Sequence, residues 1–416
     1  MPRPLQRVLT ALLLLGVVVA LEFGFETLLP DAAWRQLALF AMVNVIAALS
    51  LNVINGMAGQ FSIGHAGFVG IGAYTGAVVA GNLHQHLGGG DPLFGNSFVV
   101  MPAALLASGL VAALFGLVVG LPSLRLRGDY LAIVTLGFAE IFRLTIATAT
   151  TGGPDQGALG KLLGALGGPI GYAGPDDTGV PQYAGPFWIF GAVVLATILA
   201  WRLKFSGWGR ALRALREDEI ASAAVGVDPT RYKVTSFVIS AAGGGIAGAL
   251  LSSMRDGNPT VQPDQFTFNY SFDAITMVIL GGSGSVSGAI LGGVFVTFTV
   301  KLIEQLQGLD SVLALKAAYP ALDLNALRMV LYAAILIGLM VLRPEGLFGE
   351  RELFGRRWSR RKRFPVGPAE PVPATTGVEA GAGHEGAPPG PGAPPDEPPP
   401  GITVGRERTP AGRELE

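Results

Sequence analysis

Val234-Thr-Ser-Phe-Val-Ile-Ser-Ala-Ala-Gly-Gly-Gly-Ile-Ala-Gly-Ala-Leu-Leu-Ser-Ser-Met254 is the stretch that decides the fold. It lies between Lys233 and Arg255 and contains no charged side chain. A helix of roughly 20 mostly apolar residues matches the hydrocarbon thickness of a bilayer. Within it, Gly244-x-x-x-Gly248 puts two small residues on one face, the pattern that lets membrane helices approach closely. Comparable stretches recur at 8–28, 36–55, 61–81, 98–120, 130–150, 186–203, 287–307 and 328–342. A shorter one, 270–281, reads as a half-helix or broken span. Of the 416 residues, 50% are apolar and only 14% charged, with a mean hydropathy of +0.49; soluble domains carry about 25% charge. So few charges cannot keep the surface of a chain this long in water. The fold class is therefore all-α, a polytopic transmembrane helix bundle. The net charge of −1 gives no nucleic-acid signature, and the absence of cysteine excludes disulfides, thiolate metal sites and cysteine nucleophiles. Four histidines leave little room for a metal site.

Lys and Arg set the orientation. The 202–233 loop carries Arg202, Lys204, Arg210, Arg213, Arg216, Arg231 and Lys233, and the stretch after the last span carries eight more between Arg343 and Arg363. The Leu124–Asp129 turn adds Arg125 and Arg127, whereas 82–97 has none and 151–185 only Lys161. Placing the basic segments in the cytoplasm gives a consistent alternation if 270–281 crosses: about ten crossings, both termini inside. The first apolar stretch ends on Glu22 and Glu26 with no small-x-small site after it, and is read as a retained anchor rather than a signal peptide. Residues 1–355 form the transmembrane domain. Residues 356–416 are basic, then rich in Pro and Gly; they cannot bury enough apolar surface to fold and are expected to be a disordered cytoplasmic tail.

Two Gly-interrupted segments read alike. Residues 59–70 and 282–293 share Gly59/Gly282, Ser62/Ser285, Ala66/Ala289 and Gly70/Gly293. Glycine lets a membrane segment unwind where it faces a polar cavity, and matching interruptions in two halves point toward a transport pathway. Chance is an equal competitor in a chain with 60 glycines. Gly72-x-x-x-Gly76, Gly116-x-x-x-Gly120 and Gly288-x-x-x-Gly292 repeat the close-packing pattern.

The loop between the sixth and seventh segments runs Ser206-Gly-Trp-Gly-Arg-Ala-Leu-Arg-Ala-Leu-Arg-Glu-Asp-Glu-Ile-Ala-Ser-Ala-Ala-Val-Gly-Val-Asp228. Leu212, Leu215, Ile220 and Ala223 or Ala224 roughly follow a helical period, with a break at Glu217–Glu219 between two short helices. Arg210, Arg213 and Arg216 share a flank. Gly226 ends the helix and Asp228-Pro229 starts the next. The apolar side needs a lipid surface or a partner's groove, and the acidic run disfavours anionic headgroups.

This segment resembles the cytoplasmic coupling segment of ABC importer permeases, in particular the branched-chain amino-acid permeases of the LivM type. Gly59-Gln-Phe-Ser-Ile-Gly-His-Ala-Gly-Phe, Leu124-Arg-Leu-Arg-Gly-Asp-Tyr-Leu-Ala-Ile-Val-Thr-Leu-Gly-Phe-Ala-Glu-Ile, Gly281-Gly-Ser-Gly-Ser-Val-Ser-Gly-Ala-Ile-Leu-Gly and Arg343-Pro-Glu-Gly-Leu-Phe-Gly match the same pattern, in order, across 36–349. The resemblance implies half a pore in a bacterial inner membrane. It also implies a heterodimer with a second related permease, two ATP-binding cassette subunits and an extracytoplasmic solute-binding protein. It places coupling to the ATPase on 206–228, with Gly209, Arg210, Arg213, Arg216, Glu217, Glu219, Ala221 and Gly226 as the residues concerned. No Gly-x-x-x-x-Gly-Lys-Ser/Thr loop occurs, so ATP hydrolysis falls to the partner. The chain is expected to bind no cofactor and to be no enzyme.

Candidate pathway residues are Ser62, Gly64, His65, Thr135, Glu140, Arg143, Ser285 and Ser287. Ionisable residues inside a span cost roughly 2.5–3.5 kcal/mol to insert and take a partner or a function. Glu140 and Arg143, three apart, neutralise each other on one helix face; the alternative is contact with an amino acid's ammonium and carboxylate. His65 is equally a structural histidine. Asn44, Asn52 and Asp273 suit helix-to-helix hydrogen bonds. Two other cargo schemes stay open: a urea or short-chain amide ABC permease, and a secondary transporter with Glu140 or Asp273 as its ion-coupling site.

Overall fold

The computed structural model describes residues 3–87, 95–123, 129–149, 160, 163–307 and a few positions between 330 and 352. The 124–128 turn, most of the 328–342 span and of the basic stretch after it, and the 356–416 tail lie outside the described residues. The elements are α1 (Arg3–Leu28), α2 (Ala32–Leu51, continued by a π-helical turn Asn52–Met57), α3 (His65–His86), α4 (Ser97–Ser123) and α5 (Asp129–Ala147), followed by α6 (Pro186–Phe205), α7 (Gly207–Glu217), α8 (Glu219–Ala224), α9 (Pro229–Ser252), α10 (Phe268–Gly281) and α11 (Val286–Gln307). Among the described residues, strand pairing is limited to two isolated bridges, Tyr172 with Val261 and Ala184 with Met254. Among the described residues, seven helices are long and apolar enough to cross a membrane: α2 with its π turn, α3, α4, α5, α6, α9 and α11. The all-helical reading stands; the 328–342 span lies outside the described residues, so these seven helices are the coarser count that the structure gives. At 14 residues, α10 is about 21 Å long, short of a bilayer's hydrocarbon core of about 30 Å.

The helix that opened the argument is the hub. α9 packs on α2, α3 and α4, and glycine makes those contacts possible. A Cβ on Gly248 would sit 1.9 Å from the Val69 carbonyl oxygen, and one on Gly72 2.1 Å from that of Gly245. Gly116 faces Ala241 and Gly76 faces Ala249 at similarly close range. In a membrane, where lipid is as apolar as leucine, such close backbone packing and the hydrogen bonds it permits hold helices together; Ser108 donates to the Gly72 carbonyl at 2.9 Å.

The helix starts follow local chemistry. The side chains of Asp31, Ser206, Asp218 and Asp228 accept from the amides of Ala33, Gly209, Ala221 and Arg231, satisfying donors that the first helical turn leaves open. Glu22, the acid inside the first apolar stretch, pairs with Arg255 at 2.9 Å and accepts from the Phe187 amide at 2.7 Å. These contacts lie at the end of the bundle opposite α7 and α8, where both isolated bridges also sit.

Candidate functional site

The 206–228 segment folds as two short helices, with the break at Asp218 (φ −154°, ψ 114°). The break decides where the apolar residues go. Leu212 and Leu215 are 0% and 5% exposed and pack in the chain's own core, so the first helix meets neither lipid nor partner with that side. Ile220 and Val225, beyond the break, are 85% and 79% exposed. Glu217, Glu219 and Ala221 are also exposed, with Glu219 2.6 Å from Lys233. Gly226 has φ +89° with open space around it, so Gly226→Ala is expected to cost only the left-handed backbone penalty, about 1–2 kcal/mol, read as a lower midpoint in thermal unfolding of the purified protein.

The arginines grip the chain itself. Arg210 donates to the Phe205 carbonyl at 3.3 Å, and Arg213 to those of Gly209 at 3.3 Å and Lys204 at 3.2 Å. Arg216 reaches back 160 positions to donate to the Gly56 carbonyl at 2.8 Å. Its stem packs against Gly59, where an added Cβ would lie 2.6 Å from Arg216 Cγ. Gly209 lets α7 turn tightly under α6; a Cβ there would lie 2.2 Å from the Leu203 oxygen.

Arg216 thereby touches the place where the two Gly-interrupted segments meet. Gly59 and Gly282, the first matched pair of the repeat, both have positive φ, 68° and 114°. Asn52, fully buried in the π turn, accepts from the Gly284 amide at 2.8 Å and donates to the Ser285 carbonyl at 3.0 Å. In the first segment Asn55 holds the amide and carbonyl of Ser62 at 3.2 and 3.3 Å, and Thr135 accepts from the Ile63 amide at 3.1 Å. Gly64 brings that segment onto α5, where a Cβ would lie 2.2 Å from the Thr135 carbonyl oxygen. His65 then starts α3, buried, with Nε2 3.1 Å from the Ser50 hydroxyl.

In the second segment Ser285 accepts from the Gly288 amide at 3.0 Å. Glu352 accepts from the amides of Val286 and Ser287 at 2.8 and 2.9 Å, and from the Ser287 hydroxyl at 2.5 Å. The same carboxylate pairs with Lys204 at 2.5 Å, both side chains almost fully buried. Burial opposes its charge, but the hydrogen bonds from Lys204, Ser287 and Val286 prevail and hold its pKa below the usual glutamate value. Neither Lys204 nor Glu352 stands in a motif, so this pair is not readable from sequence. On α5, Glu140 and Arg143 form an ion pair, and Arg143 also reaches Asp264 at 3.2 Å.

None of the eight pathway candidates lines the polar cavity of about 470 Å³ that lies toward the opposite end of the bundle. From α2 come Gln36, Phe40 and Asn44, spaced to share one helix face. From α10 come Tyr270, Asp273 and Met277; from α11, Thr297, Val300 and Lys301. Tyr270 donates to Asn44 at 3.2 Å, and Asn44 donates to Thr297 at 3.0 Å. Asn44 and Asp273 stand out in sequence as polar residues in spans. Gln36 and Lys301 do not, because they lie at span ends where polar residues are ordinary.

The geometry is that of a Gly-broken membrane bundle with an amphipathic two-helix elbow, and the family comparison decides its function. The model of the branched-chain amino acid transport system permease component matches residues 34–340. The chain belongs to this permease family. Among relatives of the permease, the high-affinity branched-chain amino acid transport system permease protein LivM of Salmonella typhimurium is 37% identical, covering 75% of this chain and 69% of the relative. LivM of Escherichia coli K12 is 36% identical with the same coverage. LivH of S. typhimurium, also a high-affinity branched-chain amino acid permease protein, is 25% identical over 74% of this chain and 92% of its own. No solved structure matches the chain. The permease is thus a multi-pass membrane transport subunit rather than an enzyme.

Proposed function

We propose that this permease carries branched-chain amino acids inward as one half of the pore of an ATP-driven importer, and that α7 and α8 are where a separate ATP-hydrolysing subunit grips it. The observation carrying the coupling role is the split fate of the elbow. Its first helix is locked to the bundle by Leu212, Leu215 and three arginine–carbonyl contacts, so force applied there reaches both Gly-interrupted segments. Its second helix leaves Ile220 and Val225 bare, an apolar anchor suited to a pocket on a soluble partner.

The remaining parts follow from the family. A second, related permease completes the pore, in keeping with the likeness to LivH. Two ATP-binding subunits sit on the elbow side, and an extracytoplasmic binding protein delivers cargo to the other side. This reading puts the elbow in the cytoplasm of a bacterium, with ten crossings and both termini inside. No cofactor is assigned to the chain; ATP is used by the partner.

Ile220→Glu is the direct test. The side chain is exposed, so folding and insertion are expected to be unchanged. A charge driven into an apolar socket removes a contact of the kind worth 2 kcal/mol or more at binding hot spots, so ATP-dependent uptake by the reconstituted importer should fall about tenfold or more. Cargo-stimulated ATP hydrolysis should fall with it. Uphill uptake by the purified chain alone, driven by a proton or Na⁺ gradient, would overturn the reading in favour of a secondary transporter.

A further inference from the structure

The cavity between α2, α10 and α11 combines features that the coupling machinery does not use. Asp273 and Lys301 line it from different helices, in a chain where charge is scarce. Asp273 lies inside an apolar helix, and an ionisable residue that faces a cavity at membrane depth marks a substrate path. Both charges already have interactions within the protein. The same cavity holds a hydrogen-bonded row, Tyr270 to Asn44 to Thr297, and apolar lining from Phe40, Met277 and Val300. The volume of about 470 Å³ falls within the roughly 300–1,000 Å³ of small-molecule sites.

We propose that this cavity is the permease's own transit site for a zwitterionic, apolar amino acid, with Asp273 receiving the ammonium group, Lys301 the carboxylate, and Phe40, Met277 and Val300 the branched side chain. The inference rests on the transport reading above and adds the place and the contacts. Because Asp273 and Lys301 already have partners inside the protein, cargo must displace those partners. The site therefore holds its ligand weakly, as passage requires of a site supplied by a separate, selective carrier.

The test uses the complete importer, purified with its partner subunits and reconstituted, with leucine as cargo. Asp273→Asn and Lys301→Met are each expected to lower ATP-dependent leucine uptake about tenfold or more, the loss of one charge-assisted contact. ATP hydrolysis stimulated by loaded binding protein should persist, unlike in Ile220→Glu, which loses both. Val300→Trp narrows the cavity without removing a charge and should lower uptake as strongly. In purified full-length permease, millimolar leucine should raise the thermal midpoint, while 4-methylpentanoate, which lacks the ammonium group, should not; Asp273→Asn should abolish the leucine response. Wild-type importer that imports leucine, with uptake unchanged in Val300→Trp and in either charge variant, overturns the transit site alone. Wild-type importer that fails to couple leucine uptake to ATP overturns the transport reading instead.

Discussion

Gly248→Ala is expected to push α3 away from α9 and destabilise the bundle by about 3 kcal/mol or more, at or beyond the upper end for overpacked cores. The new methyl would lie 1.9 Å from the Val69 carbonyl oxygen and 2.7 Å from the Ala73 amide nitrogen. Both are backbone atoms of a helix, so no rotamer change relieves the clash. The neighbouring contact of Gly72 with Gly245 would open with it. In a membrane, no gain of burial from water compensates lost packing between helices. The measurement is the fraction of detergent-solubilised protein eluting as a single folded species, and its unfolding midpoint. Gly137→Ala is the control: an added methyl there meets nothing within 4 Å, and alanine is the better helix former by about 1 kcal/mol. If both variants behave alike, close approach is not what the α9 glycines supply.

Glu352→Ala should be comparably severe. Lys204 and Glu352 are 6% and 3% exposed at the side chain, and removing one partner of a buried pair typically costs about 3–5 kcal/mol, because the other charge is left unpaired. The loss here is compound: the amides of Val286 and Ser287 at the start of α11 lose their acceptor as well. Adding Lys204→Met to the variant should restore part of the stability, since it removes the stranded ammonium. The pair also predicts a pH dependence. Burial works against the Glu352 carboxylate, yet its four hydrogen bonds hold its pKa below the ordinary value, about 4.3 for a free glutamate. As pH falls, the unfolded chain therefore takes up this proton before the native protein does. The contribution is complete above the free-glutamate pKa and is lost as pH drops through the lower native one. Unfolding midpoints of wild type and Glu352→Ala should converge over that acidic range; a constant gap would show that the carboxylate's charge is not what stabilises α11.

Much of the fold was legible because a bilayer imposes a length and polarity rule on each segment separately. The stretch 234–254 announces itself without reference to any other part, and the structure gives α9 there. Local chemistry was legible for the same reason: Gly226 with its positive φ and Asp228-Pro229 opening α9 are decided within a few residues. The break at Asp218 was visible, but its consequence was not. A single helical period over Leu212, Leu215 and Ile220 suggested one apolar face, whereas the structure buries the two leucines and exposes the isoleucine. Contacts between distant positions left no local trace. Arg216 and Gly56 are 160 positions apart, Lys204 and Glu352 148, and the cavity is assembled from faces of α2, α10 and α11 that are far apart in the chain. Glu140 and Arg143 were conspicuous because they are close in sequence, and closeness is what lets them satisfy each other.

Asn52 has a mechanical implication. One amide side chain clasps the backbone on either side of the Gly284–Ser285 peptide while belonging to the turn that leads into the other glycine-interrupted segment. Neither segment can slide past the other without breaking the same two bonds. Moving one segment against the other therefore costs these two bonds, roughly 1–3 kcal/mol together, so on the coupling role proposed above a pull that begins at the elbow is felt by both segments.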